Sequence, residues 1–130
     1  MKDSPLQQWI KNFNSHQLQQ IMTMYAPGAI LLPTFSDEML EGYEQIEPYF
    51  INLFDKESPE CKLTEFIAQR GEGWICESGF YTFSWGPRMD REFARARFTF
   101  FSTPAPRGFV DWANPTGWQI ATHHSSEEPE

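Results

Sequence analysis

Residues 93–101 read Phe-Ala-Arg-Ala-Arg-Phe-Thr-Phe-Phe, and the fold turns on how this stretch is read. It is rich in aromatic residues, alternates with a period of two, and is closed downstream by the Pro- and Gly-bearing segment 103–108, which marks a β-strand. Successive side chains on a strand point to opposite faces. Phe93, Arg95, Arg97, Thr99 and Phe101 therefore share one face, and Ala94, Ala96, Phe98 and Phe100 share the other. The second set is a packing face. The first places two arginines among aromatics, and a guanidinium there must reach water, pair with a carboxylate or line an anion-holding cavity. Those three outcomes are the functional question the strand poses, and the third requires both head groups on the concave side of a bent sheet.

Working outward, Cys61–Gln69, Trp74–Trp85 and Trp118–Ser126 read as further strands, separated by the turns Arg70-Gly71-Glu72-Gly73 and Gly86-Pro87. Gly79, inside a strand, predicts a bulge or sharp bend that curls the sheet. The segment 102–117 is long for a hairpin, and its Phe109 and Trp112 predict that it folds back onto the body. Upstream, Leu6, Trp9, Ile10 and Phe13, then Leu18, Ile21, Met22 and Tyr25, form two helical stripes out of phase across Asn14 and Ser15. Ser4 before Pro5 is an N-cap with proline in the first turn, and Ser15 is a candidate cap for the second helix, which is expected to end at Ala26-Pro27-Gly28. Ala29–Leu32 is a short strand, and a loop carrying Asp37, Glu38 and Glu41 follows. Tyr43, Ile46, Tyr49, Phe50, Leu53 and Phe54 then mark a helix with Pro48 expected near its first turn. Helices first and a meander of long antiparallel strands afterwards is an α+β pattern. No linker or repeat divides residues 1–130, so one domain is expected.

The chain has 130 residues, with 40% hydrophobic and 16% aromatic content, enough for an aromatic-rich core without disulfide or metal staples. Cys61 and Cys76 are expected as buried thiols. A net charge of −8, part of it in Glu127, Glu128 and Glu130, argues against nucleic acid and anionic membrane as partners. No run of eighteen apolar residues and no apolar leader is visible, so a cytoplasmic location is expected.

Several stretches, taken in order, resemble one family: Met24-Tyr25-Ala26-Pro27-Gly28-Ala29, the segment Leu40-Glu41-Gly42-Tyr43-Glu44-Gln45-Ile46-Glu47-Pro48-Tyr49-Phe50, and Ser78-Gly79-Phe80-Tyr81-Thr82-Phe83. Ala96-Arg97-Phe98-Thr99-Phe100 and the ending Trp118-Gln119-Ile120-Ala121-Thr122-His123-His124-Ser125-Ser126 complete the set. The chain resembles the nuclear transport factor 2-like (cystatin-like cone) superfamily, and within it the association, or hub, domain of calcium/calmodulin-dependent protein kinase II and its stand-alone bacterial relatives. The resemblance implies a cone in which a curved antiparallel sheet wraps an N-terminal helix and leaves a pocket at the open end, pairing of cones into dimers, and closure of the dimers into a ring. It also implies an arginine-lined pocket for a small carboxylate or acidic peptide. The hub's strand arginine falls on Arg97 and its terminal histidine on His124. A second pocket arginine is replaced here by Ser125, which alters the anion site.

The candidate ligand-binding set is therefore Arg97, Arg95, Tyr81, His123, His124 and Ser125. For the arginines the competing reading is ion pairing with Asp37, Glu41, Glu65 or Glu77. Adjacent His123 and His124 face opposite sides of a strand, one toward the pocket and one toward a subunit interface, and they make a poor metal motif. No metal or cofactor is expected. Tyr81 and Tyr25 can donate to a ligand oxyanion, but acid–base chemistry also needs a cavity carboxylate, which no motif supplies. The favoured function is a non-catalytic, self-associating hub-like domain. The alternative is a small enzyme of the polyketide-cyclase or steroid-isomerase kind, using the same pocket.

Overall fold

The computed structural model describes residues 3–109 and 111–129, so Glu130 of the acidic tail lies outside the described residues. Three helices precede or interrupt the sheet: α1 (Pro5–Asn14), α2 (Leu18–Met22) and α3 (Gly42–Phe54). Six strands follow in the order β1 (Tyr25–Leu32), β2 (Leu40–Glu41), β3 (Glu60–Gly71), β4 (Trp74–Trp85), β5 (Glu92–Pro104) and β6 (Trp118–Glu127).

Helix α1 begins where the sequence places it. Ser4 Oγ accepts the Gln7 N–H while Gln7 Oε1 accepts the Ser4 N–H, a reciprocal capping box with Pro5 in the first turn. Ser15, expected to cap α2, instead closes α1 and bonds Asn12 O at 2.6 Å. Helix α2 stops at Met22, and Tyr25 already belongs to β1. Ala26-Pro27-Gly28 therefore lies inside that strand, at the irregularity in its pairing with β6 between Tyr25 and Ile30. Pro48 is not at the start of α3 but in its interior, where it removes one backbone donor. The buried side chains Ile46, Phe50 and Leu53 hold the helix in place.

The sheet runs β2-β1-β6-β5-β4-β3 and is mixed: β1 lies parallel to β6, and the other pairs are antiparallel. The long central pairs follow the strands read from alternation. Helix α1 touches both β3 and β6, which flank β4 and β5, so the sheet bends around it. The bend has a local device. Register slips between Leu63 and Glu65 opposite Tyr81 and Phe80, and on adjacent Gly79 a Cβ would fall 2.0 Å from the Glu65 carbonyl oxygen. Only glycine fits that approach.

The concave face carries the core. Trp9 stacks on Phe13 at 5.3 Å and on Tyr81 at 5.9 Å, and meets Phe100 edge-on at 5.4 Å. The described residues of the segment 102–117 do fold back, but through polar contacts. Asn12 Nδ2 donates to Ala113 O at 2.7 Å, and Asn114 Nδ2 donates to Thr23 O at 3.0 Å. Phe109 is half-buried, while Trp112 stays 79% exposed. Both cysteines are free, Cys61 buried and Cys76 half-buried.

Candidate functional site

Strand pairing fixes which sequence-predicted residues meet. Phe98 is opposite Ser125 and Phe100 opposite His123, so Ala96, Phe98, Phe100, His123 and Ser125 all face α1. Tyr81, opposite Ala96, joins them. The other face carries Arg97, opposite Phe80 and Ser126, together with Arg95 and His124. Arg95, Arg97 and His124 are exposed. The expectation that two guanidinium groups line the concave side is thus corrected: they stand on the outer face. The physical reason is room, because Ala94 and Ala96 leave space beneath the α1 aromatics that a guanidinium would have to share with Trp9 and Tyr81. Arg95 pairs with Glu128, Nε to Oε2 at 3.2 Å, and with none of the carboxylates considered from sequence.

Inside the cone, the remaining three candidates form one hydrogen-bonded chain with residues from α1 and β1. Trp9 Nε1 lies 2.9 Å from Tyr25 Oη, which lies 2.8 Å from His123 Nδ1. His123 Nε2 lies 3.1 Å from Tyr81 Oη, and that hydroxyl donates to Ser125 Oγ at 2.6 Å. Ser125 Oγ meets Thr34 Oγ1. The direction of the chain follows from its first member. An indole N–H only donates, so Tyr25 Oη accepts it and donates its own O–H to His123 Nδ1. Burial, aided by adjacent His124, lowers the His123 pKa from 6.5 to about 3, so the ring is neutral. We assign its remaining hydrogen to Nε2, which donates to Tyr81. Burial also raises the pKa of Tyr25 and of Tyr81, so both phenols keep their protons. Every link from Trp9 to Ser125 has its partner, and the chain ends at the Ser125–Thr34 hydroxyl pair.

Thr34 and Ser125 border a cavity of about 10 Å³ between the chain and the wall formed by Tyr49 and Leu53. That is about the room one water needs. Beyond this wall lies an open cleft of about 450 Å³ between α3 and the loop after β1, with Phe35, Tyr49 and Leu53 at the boundary. The Phe35 N–H donates to Tyr49 Oη at 3.4 Å, tying the loop to the helix.

Sequence patterns do not place Trp9 or Thr34 in the site and offer Glu77 only as an arginine's partner. For Trp9, a buried indole N–H needs an acceptor and so announces a polar neighbour. Glu77 is fully buried on the concave face, where its Oε1 accepts the Leu6 N–H at the start of α1 at 3.0 Å. Burial raises its pKa, against bonds from Ser4 and Leu6 and the charge of Arg70. The signal for it was an acid at an inward position of the alternating strand Ile75–Phe83. Thr34 gave no signal. Among the described residues no cluster of three or more His, Cys, Asp or Glu could hold a metal ion, and no helix is long and apolar enough to cross a membrane.

A helix-filled cone with an open mixed sheet is the nuclear transport factor 2-like, or cystatin-like, fold, and solved structures of that fold match the chain over most of its length. Within that class the chain is similar to a protein from Xanthomonas campestris described as a calcium/calmodulin-dependent protein kinase II association domain. The two share 27% identity with a TM-score of 0.79, over 96% of this chain and 84% of that one. The S. rosetta CaMKII hub superposes with a TM-score of 0.74 at 14% identity, over 95% of this chain and 92% of that one. A Streptomyces avermitilis protein described as a dehydratase of the NTF2-like family does so with a TM-score of 0.79 at 11% identity, over 97% and 93% of the two chains. No protein-family model matches the sequence, and no curated protein matches it.

Proposed function

We propose that this chain is a non-catalytic association module whose copies pair through the outer face of the sheet, the pairs closing into a ring. The observation that carries the reading is the character of that face. Ile67 is 75% and Phe93 68% exposed, and Phe80, Trp74 and Phe101 lie with them, opposite the face that α1 covers. An apolar surface of this kind on a folded domain marks an interface. A groove of about 520 Å³ crosses it, and both Glu65 and Arg97 line the groove. Opposite charges in one groove suit a two-fold axis, which sets each copy's Arg97 near the other's Glu65. In this reading the outward arginines and His124 serve the interface rather than a ligand. Similarity to two proteins named as hub or association domains supports it, and a net charge of −8 favours protein partners over nucleic acid or membrane. Native mass spectrometry of the chain at micromolar concentration and moderate salt tests it: dimers and closed multiples of dimers are expected, and monomer alone rejects it.

The second reading, a small lyase or isomerase, rests on the neutral His123 held between two tyrosines and on the dehydratase-like neighbour. One magnitude and one bonding pattern weigh against it. A cavity of about 10 Å³ takes a water and not an organic substrate. Both imidazole nitrogens are engaged, so proton abstraction would first break the chain that holds the ring.

A further inference from the structure

We infer that the two-fold axis of the pair runs along β4, with Phe80 packed on Phe80 of the second copy, and that Glu65 and Arg97 are the residues by which this face selects another copy of the chain. The inference rests on the proposal that copies pair through the outer face, and it adds how they are placed. Strand register carries it. Glu65, Phe80 and Arg97 stand side by side in one row across β3, β4 and β5, and all three line the same outer groove. Neighbouring strands are about 4.8 Å apart, so the row is evenly spaced. A carboxylate and a guanidinium therefore flank one aromatic ring at equal distances. A two-fold axis along β4 exchanges the two sides of that row. Each Glu65 then meets the partner's Arg97, twice per pair, and Phe80 meets itself on the axis.

The neighbouring rows were weighed against the same axis. Ile67 and Thr99 flank Ser78, so the partner's Thr99 covers Ile67, which is 75% exposed in the single chain. On the other side of the Phe80 row, Lys62 and Arg95 flank Thr82, and the axis brings these two cations together. That repulsion is relieved within each chain. Arg95 is paired with Glu128, Nε to Oε2 at 3.2 Å, so Lys62 meets an ion pair rather than a bare guanidinium. Axes along the adjacent strands do worse. One along β5 sets Arg97 against Arg97 and moves Glu65 two strands out of reach, and one along β3 sets Glu65 against Glu65. Like charges facing each other across an interface are strongly unfavourable, whereas opposite charges also exclude wrong partners. The axis along β4 is the one that turns the row's two charges into attraction.

The test uses the full chain, reading solution mass at micromolar concentration and melting to certify that each variant is folded. Arg97→Glu alone and Glu65→Arg alone each set like charges face to face twice per pair, and each should weaken pairing by about 100-fold or more. Mixing the two variants should restore a pair, now a heterodimer. Glu65→Arg/Arg97→Glu in one chain should pair with itself within about tenfold of the parent. Position is read separately, on the unchanged chain. Cys76 lies in β4 between Gln69 and Phe101 and is half-buried, so the axis sets it near the partner's Cys76, while Cys61 is buried. A short bis-maleimide should therefore join the parent into a covalent dimer, and Cys76→Ser should abolish the link. Cys76→Ser/Ser126→Cys, whose thiols would stand four strand spacings or about 19 Å apart, should not be joined. Single variants that pair as the parent does, a double variant that stays apart, or linkage at Ser126→Cys with none at Cys76 overturns the axis and leaves the association itself standing. A monomeric parent overturns both.

Discussion

Tyr81 and His123, separated by 42 positions in sequence, meet at 3.1 Å between Oη and Nε2, and this contact joins β4 to β6 across the intervening β5. The phenol completes an aromatic cluster, accepts the imidazole N–H and donates its own O–H to a serine. A polar network of this kind, buried and fully satisfied, rigidifies a core and is costly to break at any one link.

Removing single links should expose that cost. Tyr81→Phe leaves the His123 N–H and Ser125 Oγ without their partner, and Tyr25→Phe leaves the Trp9 N–H and His123 Nδ1 without theirs. Each is expected to lower unfolding free energy by about 1–3 kcal/mol, the penalty for unsatisfied buried polar groups. The double variant should cost less than the sum by at least about 0.5 kcal/mol, because both act through one imidazole. Urea denaturation of the four proteins measures the cycle, and strict additivity would show that the links act independently.

Acid should weaken the fold through the same imidazole. The His123 pKa is about 3 in the folded chain against 6.5 when free, so between those values the unfolded chain binds the extra proton. Its contribution is therefore fully present above pH 6.5 and is lost as pH falls toward 3, with a slope of up to about 1.4 kcal/mol per pH unit. Glu77 works in the opposite sense. Its pKa is raised on folding, so its contribution is present below 4.5 and is lost as pH rises through the folded value. Denaturation midpoints against pH should show a shallower acid limb for His123→Gln. Glu77→Gln, which keeps the bond to Leu6, should be at least as stable as the parent at neutral pH. A His123→Gln profile parallel to the parent would assign the acid loss elsewhere.

Gly79→Ala should be among the most damaging single-atom changes in the sheet. The added methyl would sit 2.0 Å from a backbone oxygen of Glu65, which cannot swing aside as a side chain can. A loss of about 2 kcal/mol or more is expected by melting, with Gly73→Ala, a turn position open to solvent, losing less. Equal losses at the two positions would show that the sheet bends without this close approach.

Much of the fold was legible because alternation and turn residues carry it. The boundaries of β4 at Trp74 and Trp85 and the capping box at Ser4 follow from local chemistry. The break between the two first helices was visible as a phase change at Asn14, but the end of α2 was not. Pro27 and Gly28 signal an irregular backbone, and a bulged strand satisfies that as well as a turn does. The parallel pairing of β1 with β6 joins distant segments and leaves no local mark. For the site, alternation divided Phe93–Phe101 correctly into two faces but does not say which faces inward. Aromatics sit on both. What decides is α1, whose Trp9 lies against Tyr81 and Phe100 and leaves the arginine side to solvent. Tyr81 and Ser125 lie in stretches that carry the family resemblance, but the resemblance put the pocket histidine on His124, which the strand turns outward, and it is His123 that enters the cone.

The central claim is that copies of this chain associate through the outer face of the sheet. Its most direct test is the solution mass of Ile67→Glu/Phe80→Glu beside the parent and the mouth variant Lys56→Gln, with melting measured on all three. The parent and Lys56→Gln should be dimers or closed multiples of dimers, and the outer-face variant a folded monomer. An outer-face variant that assembles as the parent does would contradict the account.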